Sequence, residues 1–182
     1  MKVISANIGH EKEVMWQGEP VKTGIFKEPV DHITIRRFFV EGDNVSDLTV
    51  HGGENKSVYG YASEHYPFWR KEYPAMNMSW GMFGENITTE GLFENELIIG
   101  SVYRVGTALL QVTEPRLPCY KLAAKFGTVD IINRFMKSRK SGFYFTVLEE
   151  GVVKASDPIV LVETGDTNET IQDVVESYIR KG

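Results

Sequence analysis

The stretch that indicates the fold is residues 97–113, LIIGSVYRVGTALLQVT, in which two apolar runs flank a short turn. The runs cover 97–104 and 107–113, and they are rich in the β-branched and aromatic residues that strands favour. Val105-Gly106-Thr107 separates them, with the glycine supplying the flexibility of a turn. We therefore predict two short β-strands here.

The same pattern recurs along most of the chain. Further short strands are predicted at 2–8, 21–27, 32–40, 45–50, 84–89, 142–149 and 158–163. About nine short strands with few helices are typical of a closed or nearly closed β-barrel. The expected fold class is therefore mostly β, with a few helices inserted between strands to cover the openings of the barrel.

Four segments show helical patterns, at about 63–73, 121–126, 129–139 and 171–179. The last is the clearest, because its apolar residues recur at helical spacing after a possible cap at Thr167 or Asn168. We place a boundary just before this helix. The prediction is one main domain over 1–163 and a short helical appendage over 164–182.

Composition limits the classes of function. Of 182 residues, 42% are hydrophobic and 25% are charged, which is ordinary for a globular protein. The net charge of −5 gives no overall basic surface for nucleic acid. The first residues hold too short an apolar run for a signal peptide, and no stretch approaches a membrane span. One cysteine cannot form an internal disulfide, which fits a reducing cytoplasm. From the charge, the lack of long apolar runs and the single cysteine together, we expect a cytoplasmic protein that binds neither membranes nor nucleic acid.

That cysteine lies in residues 114–122, EPRLPCYKL, between a predicted strand and a predicted helix. Two prolines stiffen the loop, and Cys119 falls where the helix should begin. The helix dipole together with Arg116 and Lys121 favours a thiolate, which is both a nucleophile and a soft metal ligand. A lone cysteine is also commonly a small buried apolar residue. Both interpretations remain open from this segment alone.

Two further segments could form a polar site. Residues 51–59, HGGENKSVY, start with His51, Gly52 and Gly53, whose backbone N–H groups could hold an anion near Lys56, although a simple glycine turn is an alternative. In residues 80–89, WGMFGENITT, the pair Glu85 and Asn86 could either fix a loop through the backbone or line a polar pocket.

Several common site signatures are absent from the sequence. The four histidines have no zinc-ligand spacing, and no second cysteine exists, so we expect no zinc. There is no Gly-x-Ser-x-Gly hydrolase elbow and no Gly-x-Gly-x-x-Gly dinucleotide loop. Lys56-Ser57 follows two glycines without forming a Walker motif.

Taken in order, the three segments resemble the MOSC family, named for the C-terminal domain of molybdenum cofactor sulfurase, and its stand-alone bacterial members in particular. The resemblance runs from residue 1 to about 163. The residues that carry it are His51, Gly52, Gly53, Lys56, Tyr59, Glu64, His65, Tyr66, Trp69, Gly81, Phe83, Gly84, Glu85, Asn86, Gly100, Pro115, Arg116, Pro118, Cys119, Lys121, Leu122, Gly142, Glu150 and Gly151.

The resemblance implies a mostly-β barrel related to the pyruvate kinase insert domain, with the family's cysteine at Cys119. In reductase members such a cysteine ligates molybdenum in the pterin cofactor (molybdopterin), and some stand-alone members reduce N-hydroxylated bases and amines. In sulfurase-like members it carries sulfur. Pyridoxal phosphate belongs to a separate sulfurase domain, and no lysine here stands in a recognisable Schiff-base context, so we do not expect it.

Three functions follow as hypotheses. The first is a molybdenum-dependent oxidoreductase that acts on a small molecule and takes electrons from a separate donor protein, since the sequence has no iron–sulfur or flavin motif. Cys119 would ligate the metal; Arg116, Lys121 and Lys56 would hold the pterin phosphate; and Glu85, Asn86 and His51 would orient the pterin or shuttle protons. The second is a sulfur carrier that receives a persulfide on Cys119 from a cysteine desulfurase. The third is a non-enzymatic binding module with a buried Cys119.

Overall fold

The structure is a computed structural model that describes residues 1–44 and 53–181. Its strands are Lys2–Gly9 (β1), Lys12–Trp16 (β2), Glu19–Thr23 (β3), Lys27–Val30 (β4), His32–Arg36 (β5), Phe39–Val40 (β6), Val58–Ala62 (β7), Ile87–Glu90 (β8), Val102–Val105 (β9), Ala108–Pro115 (β10), Phe143–Glu149 (β11), Gly151–Lys154 (β12) and Ile159–Glu163 (β13). Its α-helices are Tyr66–Glu72 (α1), Tyr120–Phe126 (α2), Asp130–Ser138 (α3) and Ile171–Lys181 (α4). None of these helices has the length and apolar character needed to span a membrane.

The main sheet has eight strands in the order β13-β9-β10-β11-β7-β8-β1-β4. Its pairs are antiparallel except for β7 and β8, which run parallel. The stretch 97–113 supplies β9 and β10, which pair across the Gly106 turn as an antiparallel hairpin. Strands β12, β5 and β6 form a second sheet, and β2 and β3 form a separate hairpin. The mostly-β prediction with four helices is confirmed.

The predicted closure of the barrel is not confirmed. Within the two described ranges, the main sheet begins at β13 and ends at β4, and no ladder joins these two edges. The start of β1, the strand next to the β4 edge, approaches the β13 edge, where Lys2 forms a single bridge with Pro158. There the Val3 N–H donates to the Asp157 carbonyl at 2.9 Å. Closure therefore stays a prediction.

The strand predictions fail where the sequence lacks a period of two. All five residues of β7 are buried, so this central strand shows no polar alternation. Gly60 lies within it because a Cβ there would meet the Phe143 ring at 2.5 Å. The predicted strand 21–27 is instead the end of β3 and the start of β4. Strands β2 and β12 were also not predicted. The predicted strand 45–50 lies outside the described residues.

Two hydrophobic clusters fill the interior. The first is mainly aliphatic and lies between the sheets, with Ile33, Leu110 and Val153 fully buried. The second is aromatic and joins the sheet to α1, α2 and α3. In this cluster the Tyr61 and Phe83 rings stack with centroids 4.5 Å apart. Phe83 also lies with its ring centroid 5.8 Å from that of Phe126, so this packing fixes Phe83, and with it the neighbouring polar loop, against the end of α2.

Helix α4 is capped by Thr170, not by Thr167 or Asn168 as the sequence suggested. The Thr170 hydroxyl accepts from the Asp173 N–H at 3.2 Å, and the Asp173 carboxylate accepts from the Thr170 N–H at 2.9 Å. This reciprocal pair is a capping box. Ile171, the first residue of the helix, is fully buried in the aliphatic cluster. The helix is therefore packed on the same core as the strands.

Candidate functional site

Cys119 lies in the connection between β10 and α2. Strand β10 ends at Pro115, a short loop follows, and Cys119 is the N-cap of α2 with an extended backbone at φ −126° and ψ 173°. The predicted position at a helix start is therefore correct. The side chain is half-buried, so the sulfur is partly shielded while the residue still borders a cleft.

Arg116 lies in the loop that leads to this thiol, and it is only 5% exposed. Its guanidinium donates to the Phe83 carbonyl and lies 5.0 Å from the centroid of the Tyr59 ring. No carboxylate of residues 1–44 or 53–181 pairs with it. Burial alone would lower the pKa of Arg116, but Tyr59, Tyr144 and Cys119 raise it overall. The guanidinium is thus a buried cation that the described chain leaves without an acidic partner.

A cleft opens beside Cys119 and Arg116, with about 600 Å³ of empty space including its mouth. Its lining consists of Thr23, Gly24, Ile25, Lys27, Asp43, Asn44, Lys56, Ser57, Tyr59, Gly84, Asn86, Arg116, Cys119, Lys121 and Tyr144. The charged members are four cations and one carboxylate. The cleft is therefore basic in a chain whose net charge is −5, and it suits an anionic ligand.

The single carboxylate of this lining, Asp43, is already neutralised by its neighbours. Its side chain is 3% exposed and forms an ion pair with Lys27. It also accepts from the Gly9 N–H and from the Asn86 amide, each at 2.8 Å. Burial lowers the pKa of Lys27, and the contact with Asp43 opposes that effect. The pair builds one wall of the cleft without adding net charge to it.

Glu85 lies behind the cleft and fixes the polar loop. The carboxylate is fully buried and accepts hydrogen bonds from the Tyr66 hydroxyl, the Thr88 hydroxyl and two backbone N–H groups. Those N–H groups belong to Gly81, at 2.9 Å, and Phe83, at 3.1 Å. Glu85 therefore satisfies donors of its own loop, which is the first of the two roles that the sequence allowed.

Lys125 closes the base of the same region from α2. Its ammonium donates to the Ile25 carbonyl at 2.9 Å and to the Gly81 carbonyl at 3.0 Å. Burial lowers the pKa of Lys125 to about 7, with Glu85 acting in the opposite direction. The lysine thus ties the two loops that flank the cleft to α2.

A model of the MOSC domain matches residues 47–160, which is more than half of the chain. The chain belongs to the MOSC domain family. The Bacillus subtilis protein YflK, whose name calls it uncharacterized, is 40% identical over 171 residues, covering 93% of this chain and 77% of that protein. The crystal structure of YiiM from Geobacillus stearothermophilus matches with a TM-score of 0.81 at 35% identity, over 99% of this chain and 84% of that one.

A Gibberella moniliformis protein named reductase is also similar to this MOSC domain. It is 35% identical over 116 residues, which cover 62% of this chain but only 21% of that protein. The matched part of this chain therefore corresponds to about one fifth of the fungal protein.

The MOSC structure brings most of the predicted site residues together. Cys119, Arg116, Lys121, Lys56 and Asn86 all line the cleft. Glu85 does not line it. Gly53 is not in the lining either, and with φ at +87° it starts a short 3₁₀ turn over Glu54–Lys56. His51 and Gly52 lie outside the described residues. Among the residues that the structure does describe, no cluster of three or more histidine, cysteine or acidic side chains forms a metal site.

Lys27, Asp43 and Tyr144 are members of this MOSC cleft that sequence reasoning missed. Lys27 and Asp43 stand in turn-rich segments with no motif, and only the fold pairs them. Tyr144 reaches the cleft because β11 pairs with β7 and sets it opposite Tyr59. The alternation Phe143, Tyr144, Phe145 was the one available signal, since it places the polar-tipped ring on its own face.

Proposed function

We propose that this MOSC protein binds the molybdenum cofactor in the basic cleft and reduces N-hydroxylated compounds with electrons from a separate donor protein. The observation that supports this most directly is the pairing of one thiol, Cys119, with a buried arginine, Arg116, that lacks a carboxylate in the described chain. A thiolate is a good ligand for a soft metal, and arginine is suited to bind phosphate.

The cleft fits the parts of that cofactor. The tilted rings of Tyr59 and Tyr144, with centroids 5.1 Å apart, give an aromatic wall for a flat heterocycle. Arg116, Lys121 and Lys56 supply cations for a phosphate.

Each residue has a defined part in the proposal. Cys119 would ligate the metal, and Arg116 with Lys121 would hold the phosphate in a partly dehydrated place where charge–charge attraction is strong. Asn86 would offer its side-chain amide to polar ring atoms of the pterin. Its contacts with Asp43 and with the Tyr59 N–H hold it in the wall of the cleft. When bound, the cofactor would supply two-electron redox chemistry for cleaving an N–O bond.

The name of the fungal relative supports a reductase activity. That name belongs to a protein about five times as long as the part that matches this chain. The activity is therefore carried to this chain only as part of the proposal. The electron donor is likewise proposed as a separate protein.

The test is a reduction assay on protein produced with a supply of the cofactor. Reduced viologen serves as the artificial electron donor and an N-hydroxylated nucleobase as the substrate. We expect turnover by the wild type and by Tyr178→Phe, an exposed control on α4, and none by Cys119→Ser. A cofactor-loaded wild type that turns over no N-hydroxylated base or amine would contradict the reductase proposal.

The half-buried setting of Cys119 at the mouth of a basic cleft also supports a second candidate, a sulfur carrier. A persulfide anion on Cys119 would be stabilised by Arg116 and Lys121 as a thiolate would. Incubation with a cysteine desulfurase and cysteine, followed by intact-protein mass spectrometry, should then show a gain of one sulfur atom that Cys119→Ser lacks. Identical masses before and after incubation would rule this candidate out.

A further inference from the structure

The β2–β3 hairpin stands apart from the rest of the fold. Its two strands form a sheet of their own, whereas the other strands of the described ranges belong to the two larger sheets. Except for Thr23, all side chains of these strands are exposed or half-buried, and Met15 is 67% exposed. An isolated two-stranded hairpin is only marginally stable in water. The hairpin therefore depends on its few attachments to the body of the protein.

The base of the hairpin is a close contact between two glycines at one wall of the cleft. Gly9 precedes the hairpin and Gly24 follows it, and a Cβ on Gly9 would lie 2.2 Å from the Gly24 carbonyl oxygen. The Gly9 N–H donates to the Asp43 carboxylate at 2.8 Å, and the Gly9 carbonyl accepts from the Asn44 N–H at 2.9 Å. Asp43 is itself held by its ion pair with Lys27. Gly24, Asp43 and Asn44 all line the cleft, so the hairpin is fixed firmly at the cleft wall.

The free part of the hairpin contacts a second wall of the same cleft. Strand β2 packs beside α2, the helix that begins at Cys119. The apolar attachment is Trp16, which is half-buried and packs against the aromatic cluster. The polar attachment is Lys12, which pairs with the exposed Glu28 at 3.3 Å and lies 5.6 Å from the centroid of the Phe26 ring. Because exposed cation contacts of these kinds contribute little, Trp16 is the main attachment.

We propose that the β2–β3 hairpin is a lid, which opens about its Gly9–Gly24 base and closes over the cleft when Trp16 packs against the aromatic cluster. A ligand enters or leaves while the hairpin is detached, and the closed hairpin shields the surroundings of Cys119 from solvent. Local opening of this kind is expected of an element with few buried apolar contacts. The lid depends on the cleft alone and not on which cofactor or substrate the cleft binds.

The alkylation rate of Cys119 in the apoprotein tests the lid, because this cysteine is the only one in the chain and lines the cleft. Two reagents are compared, N-ethylmaleimide, which is small, and fluorescein maleimide, which is bulky. In Trp16→Ala the bulky reagent should react about tenfold faster than in the wild type, as expected when one large apolar contact is lost from the closed state. The small reagent should gain much less. Met15→Ala, an exposed neighbour on the same strand, should match the wild type with both reagents.

Hydrogen exchange of the backbone amides gives a second readout. In the wild type, the amides of β2 and β3 should exchange faster than those of β10 and β11 inside the main sheet. Trp16→Ala should accelerate exchange in the hairpin and leave β10 and β11 unchanged, which shows that the variant remains folded.

Three results would overturn the lid. Equal rates of the bulky reagent with the wild type and with Trp16→Ala would mean that the hairpin does not control access to the cleft. Equal acceleration of both reagents would mean that the substitution acts on the thiol itself. Hairpin amides that exchange as slowly as those of β10 would exclude the opening. These measurements need neither molybdenum nor turnover, so they decide on the lid whatever the outcome of the reductase assay.

Discussion

Two neighbouring segments each bury a charged side chain, and they do so in opposite ways. In residues 80–89, Glu85 is fully buried and accepts from two hydroxyls and two backbone N–H groups. In residues 114–122, Arg116 is almost as buried but has no carboxylate partner in the described chain. A buried charge whose hydrogen-bond partners all come from the protein itself is part of the structure, whereas a buried charge without a counter-charge points to a ligand.

The largest effect should come from removing the satisfied charge. Glu85→Ala leaves buried donors on Tyr66, Gly81 and Phe83 without an acceptor, so we expect a loss of about 3–5 kcal/mol in the free energy of unfolding. Urea denaturation measures it. Glu90→Ala, a carboxylate that is half exposed in its pair with Lys2, is the matched control and should change stability by about 0.5 kcal/mol or less. Equal losses for the two variants would break the contrast between the segments.

A pH dependence follows from Lys125, whose pKa is about 7 in the folded chain against an ordinary 10.5. Between these values the unfolded chain binds more protons than the folded one, so stability rises with pH above 7. Below pH 7 both states are protonated and the unfavourable burial of charge is fully present. We expect a slope of up to about 1.4 kcal/mol per pH unit from this group. The lowered pKa of Lys27 acts in the same direction.

The measurement is the free energy of unfolding between pH 7 and 9, for the wild type and for Lys125→Met. The variant should show a clearly flatter curve, whereas Lys154→Met, on the exposed side of β12, should keep the wild-type slope. A wild-type free energy of unfolding that falls over this range would contradict the predicted direction of the Lys125 effect.

Removing the unsatisfied charge should have a much smaller effect on stability. Arg116→Met loses the bond to the Phe83 carbonyl but also removes a buried cation, so we expect a change within about 1 kcal/mol in either direction. The same urea series measures it beside Glu85→Ala. A loss as large as that of Glu85→Ala would mean that Arg116 serves the fold and not a ligand.

The smallest effect belongs to Lys56, which already has an acidic partner. Its ammonium lies 3.5 Å from Glu114 at the partly exposed rim of the cleft. Such pairs contribute little, so Lys56→Gln should change stability by about 0.5 kcal/mol or less. Calorimetric titration with inorganic phosphate should show a modest weakening of binding that fades at high salt. A loss of binding as complete as that expected for Arg116→Met would place the main anion contact at the rim.

The parts of the fold that have local patterns could be predicted from the sequence. The hairpin at 97–113, the four helices and the cysteine at a helix start all follow from spacing and turn chemistry. The β7 strand was missed because a fully buried strand shows no alternation. The closure of the barrel, which the structure does not confirm, would depend on pairing between strands far apart in the chain, and no local pattern encodes such pairing.

The site was predictable to a similar extent. Cys119, Arg116 and Lys121 stood out because prolines, cations and a thiol occur within one short loop. Lys27, Asp43 and Tyr144 could not be found that way, since each reaches the cleft through a long-range pairing of strands or loops. The sequence also left the role of Glu85 open, and only its four hydrogen-bond donors distinguish a loop-fixing role from a ligand contact.

The most direct test of the central claim is the molybdenum content of protein produced with a supply of the cofactor. We expect about one molybdenum atom per chain in the wild type and almost none in Cys119→Ser, with unchanged thermal unfolding of the two apoproteins. Arg116→Met should retain little metal despite its near-normal stability. Equal molybdenum in wild type and Cys119→Ser, or none in either, would contradict the assignment of Cys119 and its basic cleft as the cofactor site.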